Sequence, residues 1–377
     1  MGEIAKTYSG GTPSISNKKF YINGHIPFIK SGEIGSTRTE QKINYDGLNN
    51  SSARLIETGT LLYALYGATS GKAAISPIDG AINQAVLAII PQNNVNRFIY
   101  EWLNKNKSRI TGKYLQGGQG NLSAKIIKQI NIYITSKNEE LKISNILRIV
   151  NKIISLQQRK LELLKASKKA VLQNIFTDTK RVPTIRFNTF SENWNQKRLK
   201  PFLIKYNKKT TVNNQYPVLT SSRQGLFFQK DYYDGNQIAS KNNIGYNIVP
   251  RNYFTYRHMS DDLIFHFNIN TICDYGIVST LYPVFTTTSE IDSQWLLYYL
   301  NHSVDIKKYA LLQKQGGSRT YMYFSKLESL KAHIPALAEQ KKISSLIFKI
   351  DEQIYFQQKK LKYLQKSKRF LLQNMFI

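Results

Sequence analysis

The chain contains a long internal repeat. Residues 142–177 align without gaps onto residues 342–377, at a constant offset of 200 positions. Identical pairs occur from the start of the repeat, at Lys142/Lys342, to its end, at Phe176/Phe376. Because chance does not maintain a gapless register over about ten helical turns, the two segments indicate one structural unit that is encoded twice.

Each copy of the repeat predicts a long helix with one apolar seam. The seam positions alternate in steps of four and three residues, which is typical of a coiled coil, and neither copy contains Pro or Gly. The first seam consists of Ile143, Leu147, Val150, Ile154, Gln157, Leu161, Leu164, Lys168, Val171 and Ile175. The second consists of Ile343, Ile347, Ile350, Ile354, Gln357, Leu361, Leu364, Lys368, Leu371 and Met375.

Both seams are interrupted by polar residues at the same two places, Gln157/Gln357 and Lys168/Lys368. Polar seam residues cost stability but fix the register and orientation of a coiled coil. The alternative is that these side chains lie at a solvated edge. A helix of this length, about 54 Å, would expose a full apolar stripe if it were alone, so we expect the two helices to pack on each other.

An antiparallel pairing of these helices would place the two intervening globular parts at opposite ends and fix their spacing. We therefore expect an α+β fold with a pseudo-two-fold repeat, in which two similar strand-rich domains are joined by two long antiparallel coiled-coil helices. The predicted boundaries are 1–137 for the first domain, 138–178 for the first helix, 179–190 for a linker, 191–335 for the second domain and 336–377 for the second helix.

Local patterns predict the elements of both domains. Apolar runs indicate buried strands over residues 61–66, 85–90, 262–267 and 276–285, and helical periodicity covers residues 98–107 and 294–301. Upstream of each long helix the sequence predicts a glycine-rich loop, a Ser-capped helix start and a strand, over residues 116–132 and 315–335.

The charge of the chain points to a polyanionic partner. Lys and Arg number 53 against 24 Asp and Glu, a formal net charge of +29. Such an excess favours nucleic acid as the partner, because it otherwise destabilises the folded state by self-repulsion. An anionic membrane surface and a merely solubilising charge are the alternatives. Residues 102–138, 193–230 and 306–327 contain no Asp or Glu.

Two of these acid-free windows contain a Gly-Gly loop, which lets the backbone approach phosphate closely. The alternative is a solvated surface with glycine turns. Side chains with two hydrogen-bonding atoms distinguish bases, and Lys, Ser and Thr contact phosphates or base edges. The candidate DNA-binding residues are Lys30, Thr69, Ser70, Lys72, Gln116, Gln119, Asn121, Arg223, Gln224, Arg257, His258, Lys314, Arg319 and Tyr321.

Signatures of catalysis do not appear in the sequence. No Pro-Pro pair exists, so the tetrad of amino-group DNA methyltransferases is missing, and the five His residues form no His-Glu-x-x-His pair. Asp261-Asp262 is interpreted as a turn and Glu139-Glu140 as a helix start. A nuclease centre built from dispersed carboxylates remains the alternative.

The remaining features indicate the compartment. Cys273 is the only cysteine, which excludes a disulfide framework or a Cys-based zinc site within one chain. No secretory signal is recognisable, and the most apolar stretch, residues 81–91, is too short to span a bilayer. We expect a soluble, cytoplasmic protein.

Several of these motifs resemble the specificity subunits of type I restriction-modification systems. The similar segments are the helix tails 172–176 and 372–376, the opening 10–14, residues 26–34, residues 194–199 and the pattern Pro335-x-x-x-Glu339-Gln340. The resemblance covers the whole chain. One departure is that the lead-in 194–199 of the second domain has no counterpart before the first, which suggests a truncated and less stable first domain.

The resemblance implies a function. Each domain would recognise one half of a bipartite target in the major groove, and the helices would set the spacer between the halves. The chain itself would be non-catalytic and hold no cofactor. It would recruit two methyltransferase subunits that use S-adenosylmethionine on a flipped adenine, and a restriction/translocase subunit that uses ATP and Mg²⁺. The alternatives are a coiled-coil DNA-binding scaffold unrelated to restriction and a complete restriction enzyme.

Overall fold

The computed structural model describes residues 1–115, 121–176, 182–234, 242–314 and 319–376. The chain divides into two compact units. Unit 1 consists of Met1–Gln158 with Lys359–Ile377, and unit 2 consists of Arg159–Gln358. Strands and helices occur in both units, and the predicted α+β class is confirmed. The predicted boundaries treated each long helix as a separate segment, whereas the first half of each long helix belongs to one unit and its second half to the other.

The described residues form ten α-helices and three short 3-10 helices. The α-helices are α1 Tyr45–Asn49, α2 Asn96–Lys105, α3 Lys107–Tyr114, α4 Ala124–Lys128, α5 Lys137–Asn174, α6 Gln229–Tyr232, α7 Ser293–His302, α8 Val304–Leu312, α9 Phe324–Ser329 and α10 Leu337–Met375. The 3-10 helices are Lys18–Phe20, Gly67–Thr69 and Lys200–Phe202. Helices α2, α5, α7 and α10, and the short helices α4 and α9 that precede the long ones, are those that the sequence predicts.

Twenty strands occur in the same ranges, eight in unit 1 and twelve in unit 2. Those of unit 1 are β1 Ala5–Ser9, β2 Ile26–Ile29, β3 Lys42–Ile43, β4 Arg54–Ile56, β5 Leu61–Ala64, β6 Ala73–Ile75, β7 Gly80–Ile82 and β8 Val86–Pro91. Those of unit 2 are β9 Asn195–Arg198, β10 Leu203–Lys205, β11 Leu219–Ser222, β12 Gly225–Phe228, β13 Asn247–Pro250, β14 Phe254–Tyr256, β15 Met259–Ser260, β16 Phe267–Ile269, β17 Tyr275–Val278, β18 Val284–Thr287, β19 Thr320–Tyr321 and β20 Lys331–Ile334.

The two units share a four-stranded antiparallel sheet of the same order. In unit 1 the order is β1-β8-β5-β6, and in unit 2 it is β10-β18-β14-β16. The central strands are almost wholly apolar, and every residue of β5 and β14 is buried. The sequence of such a strand is a continuous apolar run, because both faces of the sheet are covered. The repeat therefore extends from the helices into the domains.

Three of the sequence-predicted elements differ in the structure. The strand predicted over residues 262–267 is wrong, because the Asp262 carboxylate accepts a hydrogen bond from the Ile264 N–H and Leu263 has a φ of 65°. Because of this turn, Phe267 is the only residue of the predicted strand that belongs to β16. The strand predicted over residues 276–285 is interrupted between β17 and β18 by a turn in which the Tyr282 N–H donates to the Ser279 carbonyl.

The third difference concerns the segments that precede the long helices. In unit 2 the predicted strand is β20, and it pairs with β9. Residues 130–132 of unit 1 form no strand, and the Ile130 carbonyl accepts a hydrogen bond from the Met1 amino group at 2.6 Å. The predicted Ser cap is present on α4, where the Ser123 hydroxyl accepts from the Ile126 N–H, but no side chain caps α9.

The two long helices run antiparallel within each unit. In unit 2 the Lys168 ammonium of α5 lies 2.5 Å from the Asp351 carboxylate of α10, and Ile175, which directly follows α5, lines one cavity with Ile343. In unit 1 the start of α5, at Ile143 and Leu147, packs in one cluster with the end of α10. None of the twenty seam positions is exposed, as the spacing of apolar residues requires.

An equivalent side chain ties each long helix to its domain. The Glu140 carboxylate accepts hydrogen bonds from the Asn94 side chain and the Val95 N–H at the start of α2. Its counterpart at an offset of 200, Gln340, accepts from the Asp292 N–H at the start of α7 and donates to the Pro335 carbonyl. These contacts explain why the second residue of each pair, Glu140 or Gln340, has a side-chain oxygen that can accept a hydrogen bond.

Candidate nucleic-acid interface

The candidate site of unit 2 is a short ladder with three neighbouring rings, which we call the tyrosine ribbon. It consists of β15, β19 and the flanking residues His258 and Tyr323. The Met322 N–H donates to the His258 carbonyl at 2.7 Å. The rings of Tyr321 and Tyr323 are nearly parallel, 5.6 Å apart, and the His258 ring lies 5.1 Å from that of Tyr323. Burial lowers the pKa of His258, and so does the charge of Arg257.

Two exposed arginines are paired to an acidic dipeptide beside this ribbon. The Arg319 guanidinium lies 2.9 Å from the Asp261 carboxylate, and the Arg223 guanidinium lies 2.6 Å from that of Asp262. Hydrogen bonds from Arg223 and from the Ser260 hydroxyl hold the pKa of Asp262 at about 2. Both guanidinium groups keep more than half of their side-chain surface exposed.

These pairs orient the arginines without sequestering them. An exposed ion pair contributes only about 0–1 kcal/mol, so either guanidinium can exchange its carboxylate for a base edge at small cost. A guanidinium binds guanine through two parallel hydrogen bonds. The sequence analysis interpreted Asp261-Asp262 only as a turn and missed this role. No local pattern indicated it, because Arg223 and Arg319 lie 39 and 58 positions from their partners in the sequence.

The candidate site of unit 1 is the loop of residues 67–72. The Leu122 N–H donates to the Leu65 carbonyl at 2.9 Å, in the same way as Met322 donates to His258 in unit 2. This bond places the exposed Asn121 beside the loop. Thr69 and Lys72 are half-buried, whereas Ser70 is 7% exposed and its hydroxyl donates to the Leu65 carbonyl. We therefore exclude Ser70 from the contact surface.

Gly71 lets this loop approach helix α3. It has a φ of +80°, and a Cβ built on it would lie 2.6 Å from the Thr111 side chain. A larger residue would therefore push the loop away from the helix. Two basic residues of α3, Arg109 and Lys113, do not belong to this loop site. Together with Lys105 of α2 they line a cavity of about 430 Å³.

The other predicted DNA-binding residues are dispersed. Arg257 is exposed directly before the ribbon, and Gln224 is exposed beside Arg223 in the turn between β11 and β12. Lys314 is exposed after α8, and Lys30 is half-buried in a turn after β2, where its N–H donates to Glu33. Gln116 and Gln119 lie outside the described residues.

The polar seam residues occupy the interior side of the helices. Lys168 forms the ion pair with Asp351 described above, and Gln357 is 7% exposed. Gln157 and Lys368 are half-buried. The charge of Lys368 acts on the buried Glu101 carboxyl, whose pKa burial raises.

Comparison with known proteins identifies the first part of the chain. Residues 1–166 match the family model described as type I restriction modification DNA specificity domain. Residues 1–166 are thus similar to a type I specificity domain. The resemblance inferred from the sequence is confirmed.

Two curated relatives are specificity subunits. The type I restriction enzyme EcoR124I/EcoR124II specificity subunit of Escherichia coli is 28% identical over 156 residues, which are 39% of this chain and 39% of the relative. The type I restriction enzyme MjaIX specificity subunit of Methanocaldococcus jannaschii is 27% identical over 190 residues, 47% of this chain and 42% of the relative. The chain thus spans about two fifths of the length of each.

A solved structure shares the fold over a longer range. The crystal structure of a type I restriction-modification system S subunit from M. genitalium aligns with a TM-score of 0.57 at 13% identity. The alignment covers 100% of this chain and 94% of that one. At this identity the likeness concerns the fold alone. It supports an S-subunit-like fold in unit 2 as well as in the specificity domain.

No group of three or more His, Cys, Asp or Glu side chains with the geometry of a metal site occurs within the described ranges. None of the described helices is long and apolar enough to cross a membrane.

Proposed function

We propose that this chain is the DNA-specificity subunit of a type I restriction-modification complex, and that each unit recognises one half of a bipartite target. The observation that carries the proposal is that two units whose sheets have the same order each place a candidate DNA-binding residue, Asn121 or Tyr321, directly before an equivalent hydrogen bond, that of Leu122 or Met322. A bipartite target suits a protein that presents two such sites.

In unit 2 the proposed base contacts are Arg319 and Arg223, because guanidinium groups recognise guanine with two hydrogen bonds. The stacked rings of the tyrosine ribbon form a stiff support for Arg319, which directly precedes β19. In unit 1 the proposed contacts are Asn121, Thr69 and Lys72. The net charge of +29 supplies the attraction to the phosphates that is independent of sequence.

The proposed partners are two methyltransferase subunits and a restriction/translocase subunit. An exposed apolar stripe along both long helices supports docking of proteins there. It consists of Ile149, Ile153, Leu156 and Leu163 on α5 and of Phe348, Tyr355, Phe356, Tyr363 and Phe370 on α10. S-adenosylmethionine, ATP and Mg²⁺ would bind the partners, and this chain would be non-catalytic. A scaffold unrelated to restriction would not require a partner methyltransferase.

The purified chain alone is expected to bind DNA without transferring a methyl group to it. Incubation with DNA and radiolabelled S-adenosylmethionine should give no labelled DNA, and addition of a partner methyltransferase subunit should give labelled adenine at a two-part sequence. Transfer by the chain alone would refute the non-catalytic assignment. Binding that shows no two-part sequence preference with the partner present would favour the unrelated scaffold.

Arg319→Ala is expected to relax the choice of base at one position of one half-site. The loss of discrimination should be about 1–3 kcal/mol, since one bidentate base contact is removed. Competition binding with oligonucleotides substituted at each position, in the presence of the methyltransferase, measures it. The matched control is Arg251→Ala, which removes another exposed guanidinium that is paired to a carboxylate, that of Asp274. A uniform loss on all sequences would make Arg319 a phosphate contact.

A further inference from the structure

Arg319 and Asp261 form a cross-strand pair at the end of the tyrosine ribbon. Ser260 pairs with Thr320 in the antiparallel ladder of β15 and β19. Asp261, which directly follows β15, therefore stands opposite Arg319, which directly precedes β19. Because side chains of opposite residues are neighbours on one face of the ladder, the register of the ribbon sets their contact of 2.9 Å. We call Arg319 and Asp261 the dyad.

The dyad lies on the exposed face of the ribbon. Ser260 and Thr320 are buried, whereas both side chains of the dyad keep more than half of their surface exposed. Side chains alternate between the two faces along a strand, so Tyr321 shares the face of the dyad. The major groove of duplex DNA admits a two-stranded β-ribbon. In that position the dyad would meet the edges of the bases.

The dyad retains hydrogen-bonding atoms of both kinds. Its contact joins Nε of Arg319 to Oδ1 of Asp261. Within the part of the chain that the structure describes, these two side chains form no other hydrogen bond or ion pair. The two Nη atoms, which form the fork that binds guanine, and Oδ2 of the carboxylate are therefore available to a ligand.

The neighbouring Asp262 is instead part of the turn. Its Oδ1 accepts hydrogen bonds from the Arg223 guanidinium at 2.6 Å, from the Ser260 hydroxyl at 2.9 Å and from the Ile264 N–H at 3.2 Å. These three donors hold the carboxylate of Asp262 in place and fix the turn from which Asp261 projects. Of the two acidic residues, Asp261 is the one that can accept a further hydrogen bond.

A carboxylate at this place is unfavourable for DNA binding unless it contacts the DNA. Residues 306–327 and 193–230, which contain Arg319 and Arg223, include no Asp or Glu. The fold nevertheless brings an acidic residue to each of these arginines. Phosphates repel a carboxylate, and a charged group that loses its water is costly unless it is paired. The available oxygen of Asp261 therefore requires a hydrogen-bond donor on the DNA.

We propose that Asp261 is a specificity-determining residue that accepts a hydrogen bond from the N4 amino group of cytosine while Arg319 binds the guanine of the same base pair. This inference rests on the proposed function and names the base pair that the end of the ribbon recognises. In the major groove, guanine offers two acceptors, O6 and N7, and its partner cytosine offers the N4 donor. A hydrogen bond of about 2.9 Å joins O6 to N4 within the pair, as one of 2.9 Å joins Nε to Oδ1 within the dyad.

The same arrangement rejects an A·T pair. Adenine presents an amino donor at the place where guanine presents O6, so this donor would face the donors of Arg319. Thymine presents the O4 acceptor at the place of the cytosine amino group, so this acceptor would face the Asp261 carboxylate. Because polar groups of both bases would be left unpaired, the dyad discriminates more strongly than Arg319 alone.

The variant Asp261→Ala tests the recognition of cytosine. The probe is a duplex with the target that methylome sequencing identifies in a host expressing the chain with its methyltransferase, and competition binding uses the complex of the two proteins. Arg319→Ala is expected to relax the choice at a G·C pair. Asp261→Ala should reduce the preference for that same pair about tenfold, the size of one hydrogen bond to a charged group. Affinity for unrelated DNA should rise, because a charge that phosphates repel is lost.

Asp274→Ala is the matched control. It removes another exposed carboxylate that accepts a hydrogen bond from the Nε of an arginine, that of Arg251, at 2.8 Å. This variant should leave the preference at every base pair unchanged. Circular dichroism of each variant checks that the fold is retained.

A modified base distinguishes direct contact with cytosine from support of Arg319. In N4-methylcytosine paired with guanine, a methyl group replaces the amino hydrogen that faces the major groove. At the one cytosine concerned, we expect this methyl group to weaken binding by the unaltered chain about tenfold and binding by Asp261→Ala much less. An equal loss in both would mean that Asp261 only orients Arg319, and the proposal would be wrong.

Two further outcomes would overturn the proposal in different ways. If Arg319→Ala relaxes an A·T pair, or if Asp261→Ala leaves the preference at the relaxed pair unchanged, Asp261 does not recognise cytosine and the proposed function still stands. If the complex shows no two-part sequence preference at all, the proposed function fails and the recognition of cytosine fails with it.

Discussion

A chain from which residues 155–161 and 358–364 are both deleted is expected to direct its partner methyltransferase to a target whose half-sites are unchanged but lie about three base pairs closer together. Each deletion removes one heptad, about 10 Å of helix at 1.5 Å per residue, and duplex DNA rises about 3.4 Å per base pair. Methylome sequencing of a host that expresses the variant with its methyltransferase partner measures the gap.

The two deletions are matched in the structure. Lys168 of α5 faces Asp351 of α10, and Ile175 faces Ile343, so residues whose numbers sum to about 519 lie opposite each other. The deleted segments 155–161 and 358–364 have the same sum, so they lie opposite each other. Because each deletion removes one full heptad, the seam continues in register across each junction. A gap that stays unchanged would contradict spacing by the helices. A changed half-site sequence would instead indicate that the domains were disturbed.

The sequence predicted those parts of the fold that depend on repetition and on apolar periodicity. The seam of α5 and α10 and the buried strand β5 are long patterns in which every residue supports the same interpretation. A gapless offset of 200 positions also predicted that both units would carry equivalent sites, and the hydrogen bonds of Leu122 and Met322 are such equivalents.

The pairing of side chains that are distant in sequence could not be predicted in this way. Arg319 and Asp261 are separated by 58 positions and Arg186 and Glu339 by 153, and neither pair leaves a periodic trace. The failed strand over residues 262–267 has the same origin, because the aspartate that forms the turn is also the partner of Arg223. Local composition favoured a strand, and a tertiary ion pair determined the result.

Glu339→Ala is expected to destabilise unit 2 by about 3–5 kcal/mol, because it leaves the largely buried guanidinium of Arg186 without its carboxylate. Urea unfolding followed by tryptophan fluorescence measures this in a Trp102→Phe background, where the remaining tryptophans, Trp194 and Trp295, both belong to unit 2. The separate signal is needed because a chain of two units does not unfold in a single step.

The internal repeat supplies the control for this experiment. Glu139→Ala removes the equivalent carboxylate of α5 in unit 1, so its effect is followed through Trp102, the tryptophan of unit 1, in a chain in which Trp194 and Trp295 are replaced by Phe. Both carboxylates stand in the first turn of a long helix. Their favourable interaction with the helix dipole, about 0.3–1 kcal/mol, is therefore common to both and cancels in the comparison. The difference that remains measures the contact of Arg186 with Glu339, which has no counterpart at Glu139 among the described residues. Equal losses of stability in the two variants would mean that the Arg186 contact contributes nothing.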